Sequence, residues 1–225
     1  MQGAHTFFVL VADLVASRRA LRRPDLALRL ETCLRQLASS ADWRAPLMST
    51  RGLDELSGVL HRPQMAFDLM HAVNLVVWPQ RFRFALAAGT IDVGLASNVA
   101  GDMDGPAFHR AADALARVRR ERLAAGFELP GVSATQTRMA EALAGLHQTI
   151  MENWSPATAV AVAAYEQPFG QAGAQAGTQA QTAHRLGISQ QAVSAALRRA
   201  RVAELAVARD ALRRWLHEVG QEQTA

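Results

Sequence analysis

Lysine is missing altogether: all 24 basic side chains among the 225 residues are arginine. Two readings of that absence stand side by side. Arginine's planar fork suits phosphate and guanine, and GC-rich coding alone also replaces lysine by arginine. There is one cysteine, Cys33, so the chain forms no internal disulfide and no cysteine-based zinc site. A reducing cytoplasm is the expected setting. No apolar run approaches the roughly 18 residues of a spanning helix, and the mean hydropathy is zero. No membrane partner is expected. The opening apolar stretch has no basic region before it and no small-residue cleavage site after it, so it reads as a buried strand and not as a signal peptide. A Walker-type glycine loop and serine or cysteine nucleophile motifs are also absent. Seven histidines (His5, His61, His71, His109, His147, His184 and His217) show no paired zinc spacing. Each reads as a surface or helix-face residue.

What is present is apolar, at 50% hydrophobic residues, enough for one large domain or two modest ones. The net charge is only +4, but the arginines cluster. Arg198, Arg199 and Arg201 form one group, and Arg117, Arg119, Arg120 and Arg122 another. The second group reads as a solvated helix face. "TFFVLVADLV" (6–15) is a continuous apolar run, the mark of a central strand buried on both faces. Leu26, Leu28, Leu30, Leu34 and Leu37 follow at helical spacing. "APLMST" and "ELSGVLH" read as two strands around a tight connection at "RGLD". A helix from Pro63 to about Val77, the strand "RFRFALAAGTI" and a strong helix from Gly105 complete the pattern. Pro106 suits that helix's first turn and Gly126 the position past its end. "FELPGV" reads as a short edge strand.

The order βαββαβ predicts an α+β fold, a ferredoxin-like split βαβ sheet over residues 1–133. A connecting helix at 134–154 leads to an all-α module at 155–225. "FGQAGAQAGTQAQ" (169–181) has no large apolar residue after Phe169 and reads as a flexible loop.

Within the module, "AHRLGISQQAVSAALRRA" (183–200) carries the strongest functional signal. A helix from about Gln179 to Leu186 and another from about Gln190 to Ala200 flank a turn at Gly187. Ser189 stands at the N-cap position. Leu186, Ile188, Val193 and Leu197 are expected to share a core. Gln190, Gln191, Ser194, Ala195, Arg198 and Arg199 are expected to face outward. That is the division of labour in a helix-turn-helix reading double-stranded DNA. Gln reaches base edges from the helix start, and arginines hold phosphates. The expected contacts are Ser189, Gln190, Gln191, Ser194, Arg198, Arg199 and Arg201. An ordinary helical hairpin is the competing reading. The final helix has an apolar stripe (Val202, Leu205, Ala208, Leu212, Trp215, Leu216, Val219) that must pack on its own module or on a second copy. A homodimer is expected, since one helix contacts only a few base pairs.

In the first domain the informative residues are acidic. Asp13 lies inside the first strand, and a carboxylate there is costly unless paired or holding a cation. Asp54 and Glu55 sit at the connection between the second and third strands. Two converging carboxylates at a sheet's end suit Mg²⁺ with a nucleotide triphosphate. The competing reading is a strand-end Asp capping the helix or turn that follows, plus a solvated hairpin Asp-Glu.

"VADLVASRR", "STRGLDELSGVL", "RFALAAGTI" and "MDGPAFHRAADAL", with "GISQQAVSAAL" downstream, resemble in order and spacing the bacterial SatD-like proteins. More distantly, they resemble the palm-type core of class III nucleotidyl cyclases and diguanylate cyclases. The resemblance implies a cyclase-like fold with Asp13 and Asp54 as metal-binding carboxylates. It also implies a nucleotide near Glu55, Gly105 and His109. The pattern departs at Leu53 and Ser57, where SatD-like members carry Gly and Gln, and at Ala112, where arginine is common. His109 and Asp113 stand where the cyclases place Asn and Arg, and Asp113 would oppose developing phosphoryl charge. These departures imply a degenerate site without catalytic residues. The combined expectation is a DNA-binding regulator with a cyclase-like sensing or dimerisation domain. The rivals are a Mg²⁺-dependent nucleotidyl cyclase or nucleotidyltransferase and a pure protein adaptor.

Overall fold

The computed structural model describes residues 5–15, 23–166 and 177–224. Its sheet has five strands: β1 (Phe7–Leu14), β2 (Trp43–Arg51), β3 (Glu55–Leu60), β4 (Phe82–Gly89) and β5 (Ala125–Glu128). Their order is β2-β3-β1-β4-β5. The first three pairings are antiparallel, and β5 runs parallel to β4. β1 therefore lies at the centre, and its apolar run is buried on both faces. Phe8, Leu10, Ala12 and Leu14 point into the larger core. Phe7 and Val9, with partly buried Val11, point to the other face.

Helix α1 (Arg23–Leu37) and helix α2 (Ala66–Val77) cover the first face, and α3 (Pro106–Glu121) covers the second. α2 starts three residues later than expected. Pro63 contributes a carbonyl to the Ala66 N–H and takes no part in the helix's first turn. α3 ends before Gly126: Arg122, at φ 60°, closes it in the left-handed region. Gly126 instead lies inside β5, where a Cβ would meet Val118 Cγ2 at 2.5 Å. Glycine is needed there for close helix–strand approach, not for a cap.

The helical part comprises α4 (Ala134–Glu152), α5 (Pro156–Glu166), α6 (Gln179–Leu186), α7 (Gln190–Arg199) and α8 (Val202–Thr224). Ser133 and Gln136 form a capping box on α4, and Ser155 Oγ accepts the Thr158 N–H at the start of α5. The loop expected at 169–181 lies largely outside the described residues. Its last three residues are helical, because Thr178 and Gln181 form a second capping box that starts α6 at Gln179.

The helix expected to connect two bodies belongs to both. α4 gives Ala140 and Ala144 to the sheet's core, and Met151 to the core of the short helices. α8 does the same along its length. Leu205 packs among the short helices, while Leu212, Leu216 and Val219 join the sheet's core. The apolar stripe of the last helix is thus covered within its own chain. The strand edge at β5 is covered too. The Phe127 N–H donates to Glu141 Oε1 of α4 at 3.2 Å, and Arg117 of α3 clamps the same carboxylate. A charged side chain closes an edge that would otherwise invite another strand.

Candidate functional site

Two places in this framework carry charge that the fold does not consume. The first is α7. Gly187, at φ 65°, ends α6 in the left-handed conformation, and its N–H reaches back to His184 O. Ser189 then accepts the Ala192 N–H at 3.1 Å and starts α7. Val193, Ala196 and Leu197 are buried, and Val193 and Leu197 pack with Ala183, Ala200 and Leu205. Trp154 Nε1–H donates to Ala200 O at 3.1 Å and fixes the end of α7 to the core.

Gln190, Gln191, Arg198 and Arg199 are exposed, while Ser194 and Ala195 are half-buried. Arg198 donates to Ser194 Oγ at 3.3 Å. Exposed Arg201 sits in the break between α7 and α8 and pairs with Glu204 at 3.2 Å. Leu186 is half-buried, but Ile188, expected in the core, is 43% exposed. The left-handed residue before it swings the chain outward ahead of α7. From 167 to 203 the sequence contains no Asp or Glu. The face of α7 is accordingly polar and basic, with no carboxylate of its own.

The second place is the sheet end beneath the last turn of α3. Asp13 of β1 is cross-strand partner to Glu55 of β3 and to Arg83 of β4. Those three side chains therefore share the α3 face. The guanidinium of Arg119 reaches down from α3 to Asp13 Oδ1 at 2.8 Å and to Glu55 Oε1 at 3.7 Å. Asp54 joins the site through its backbone, its carbonyl accepting the Leu14 N–H at 2.9 Å. Asp13 is thus set opposite Glu55, with an arginine across both carboxylates. Among the described residues no group of three or more His, Cys, Asp or Glu could hold a metal ion.

The helix start implied as a nucleotide cradle lies elsewhere and is occupied by its own chain. Asp104 Oδ1 accepts the Gly105 N–H at 2.7 Å and faces His109 Nε2 at 3.3 Å.

Three features were not legible in the sequence. The arginines of α3, expected to be solvated, include two that bind carboxylates: Arg117 with Glu141 and Arg119 with Asp13. Two histidines expected as surface or helix-face residues, His71 of α2 and His147 of α4, lie on helices but are each only 3% exposed. His71 Nε2 lies 2.7 Å from Glu166 Oε2, and Arg209 of α8 forks onto both oxygens of Glu166 at 3.1 and 3.2 Å. Burial opposes the charge on Glu166, but His71 and Arg209 outweigh it and hold the carboxyl below its ordinary range. Burial, then the nearby His71 and Arg209, holds His147 well below the ordinary imidazole value. The signal available for His71 was its place in the apolar run "AFDLMHAVNLVV". Cys33, fully buried, has its thiol pushed up to about 12 by that burial and is no nucleophile. No helix among the described residues is long and apolar enough to cross a membrane.

Residues 7–163 match the SatD family, a span that takes in the sheet, α1 to α4 and most of α5 and stops before α6. No curated protein and no solved structure matches the chain.

Proposed function

The chain belongs to the SatD family, and on that premise we propose that it is a sequence-specific DNA-binding transcriptional regulator. α6 and α7 act as the helix-turn-helix, and the sheet domain serves as a cyclase-like sensing or dimerisation body. One observation carries this reading. α7 keeps Gln190, Gln191, Arg198 and Arg199 exposed on a helix whose inner face is filled, in a stretch with no acidic residue. An uncharged hydrogen-bonding start with arginines at the far end suits base edges first and phosphates second. Ser194 and Arg201 flank that face, and Ser189 holds its backbone start. Duplex DNA as partner implies a cytoplasmic protein acting as a homodimer on paired half-sites.

The strand order, with β1 between β3 and β4 and all three antiparallel, supports a ferredoxin-like, palm-type body. The Arg119 guanidinium across Asp13 and Glu55 supports a site without catalysis, because it supplies the positive charge those carboxylates would otherwise take from Mg²⁺. A cyclase or nucleotidyltransferase would need that pair to open.

The test is a gel shift of the full chain against genomic fragments at low and moderate salt. A retarded subset of fragments is expected, with Gln191→Ala flattening the preference by about 1–3 kcal/mol at the base it contacts. No retardation of any fragment at low salt removes the proposal. Product formation from ATP or GTP with Mg²⁺ or Mn²⁺ would move the assignment to the enzyme.

A further inference from the structure

The sheet end holds more cationic charge than its carboxylates engage. Arg119 binds Asp13 and approaches Glu55, and Arg81 pairs with Glu152 at 2.7 Å. Arg83 and Arg122 have no hydrogen bond or ion pair from their side chains among the described residues. Arg83 is half-buried at the strand end, cross-strand from Asp13, and its Nε is buried without an acceptor. A buried guanidinium N–H without a partner is expensive, because it has lost its water and gained nothing. One pleat further in on the same α3 face, Ser57 is 8% exposed and its hydroxyl also has no partner. Arg122 adds an exposed charge where α3 ends. Arg81, Arg119 and Arg122 all lie near enough to raise the positive field at Arg83.

We propose that the end of the sheet binds a phosphate-bearing anion directly on Arg83 and Arg122. Arg119, tethered by Asp13, forms the third wall. The guanidinium fork matches two oxygens of a phosphate, and such an anion supplies the acceptor that Arg83 Nε lacks. This deepens the sensing role given above to the sheet domain by naming the ligand's chemistry, and it rests on that reading only for its consequence. A carboxylate-held metal would make Asp13 the binding group. Here Asp13 competes with the ligand for Arg119.

The test is calorimetric titration of the full chain with inorganic pyrophosphate in EDTA, and separately with ATP in the same buffer. Binding without divalent metal is expected. Arg83→Gln and Arg122→Gln should each weaken it at least about tenfold, as expected when a charge-assisted hydrogen bond is removed. Arg120→Gln, whose parent pairs with Glu121, should leave it unchanged. Asp13→Asn should leave pyrophosphate affinity equal or higher. ATP binding more tightly than pyrophosphate gives the nucleoside a part, and equal affinity assigns the site to the anion alone. Arg122 is exposed, so its variant tests the site even if Arg83→Gln disturbs the fold. Three results overturn the proposal: no binding of either probe to folded protein, binding that requires Mg²⁺ and disappears in Asp13→Asn, or an equal loss in Arg120→Gln. DNA binding is read separately by gel shift, so the two proposals fail independently.

Discussion

Two arginine-rich helix ends look alike in the sequence and have different fates in the fold. "ARVRRER" closes α3 and "ALRRAR" closes α7. In α3 two of the four arginines are drawn onto carboxylates from distant elements, Glu141 and Asp13. Among the described residues neither Arg198 nor Arg199 of α7 meets a carboxylate, and Arg198 donates to a serine hydroxyl. The difference lies in the neighbours. α3 lies within reach of α4, which carries Glu141, and packs over β1, which carries Asp13, whereas α7 packs on an apolar core. A run of like charge therefore says little about role until its surroundings are known. The arginines left without a carboxylate partner are the ones available to a ligand.

The largest effect should come from breaking the engaged set. Glu141→Ala removes the acceptor of Arg117 and of the Phe127 N–H and should cost about 3 kcal/mol in urea denaturation. A loss under about 1 kcal/mol would mean that the edge of β5 is held by packing alone. Next comes the free set: Arg198→Ala with Arg199→Ala should weaken DNA binding on every fragment alike. The slope of log affinity against log salt should become shallower by about 1.8, near 0.9 for each phosphate that is no longer neutralised. Arg120→Ala on α3 should leave that slope unchanged, and an equal change there would erase the distinction between the two helix ends.

A smaller effect concerns the seam between the two regions. His147 titrates lower in the folded chain than in the unfolded one, where the value is about 6.5. The unfolded chain therefore takes the proton first, and stability is lost as pH falls below that value. Glu166, held low in the fold, adds a loss of the same sign at more acidic pH. His147→Phe should flatten the fall of stability between pH 7 and 5.5, by at most about 1.4 kcal/mol per pH unit. A slope identical to the parent's would place the sensitivity elsewhere. Asp13→Asn should be smallest, about 1 kcal/mol or less of stability, since Arg119 is 42% exposed and its pair is screened.

The strands and helices were readable because each announces itself within ten or fifteen residues. The run at 6–15, the leucines of α1, the alternation before Leu86 and the Ser189 cap are all local signals. Local reading also set its limits. It put the end of α3 at Gly126 because a glycine after a helix usually caps it, whereas this one lies in the next strand against Val118. It counted Ile188 into the core by spacing alone, without the swing that Gly187 introduces. The candidate sites were half legible. The outward glutamines and arginines of α7 follow from helical spacing, but the partner of Asp13 stands 106 positions away. Glu166 likewise joins His71 and Arg209 from two other helices. Spacing carries no information about pairings that only the packing of α2, α5 and α8 brings into range.

α8 is 23 residues long, a rod of about 35 Å, anchored in both cores at once. A reader on a loose tether would tolerate half-sites at many distances along the duplex. Here the angle between α7 and the sheet is built in. If α7 reads DNA as proposed, a two-fold assembly would set the distance between paired operator halves by which sheet surfaces meet.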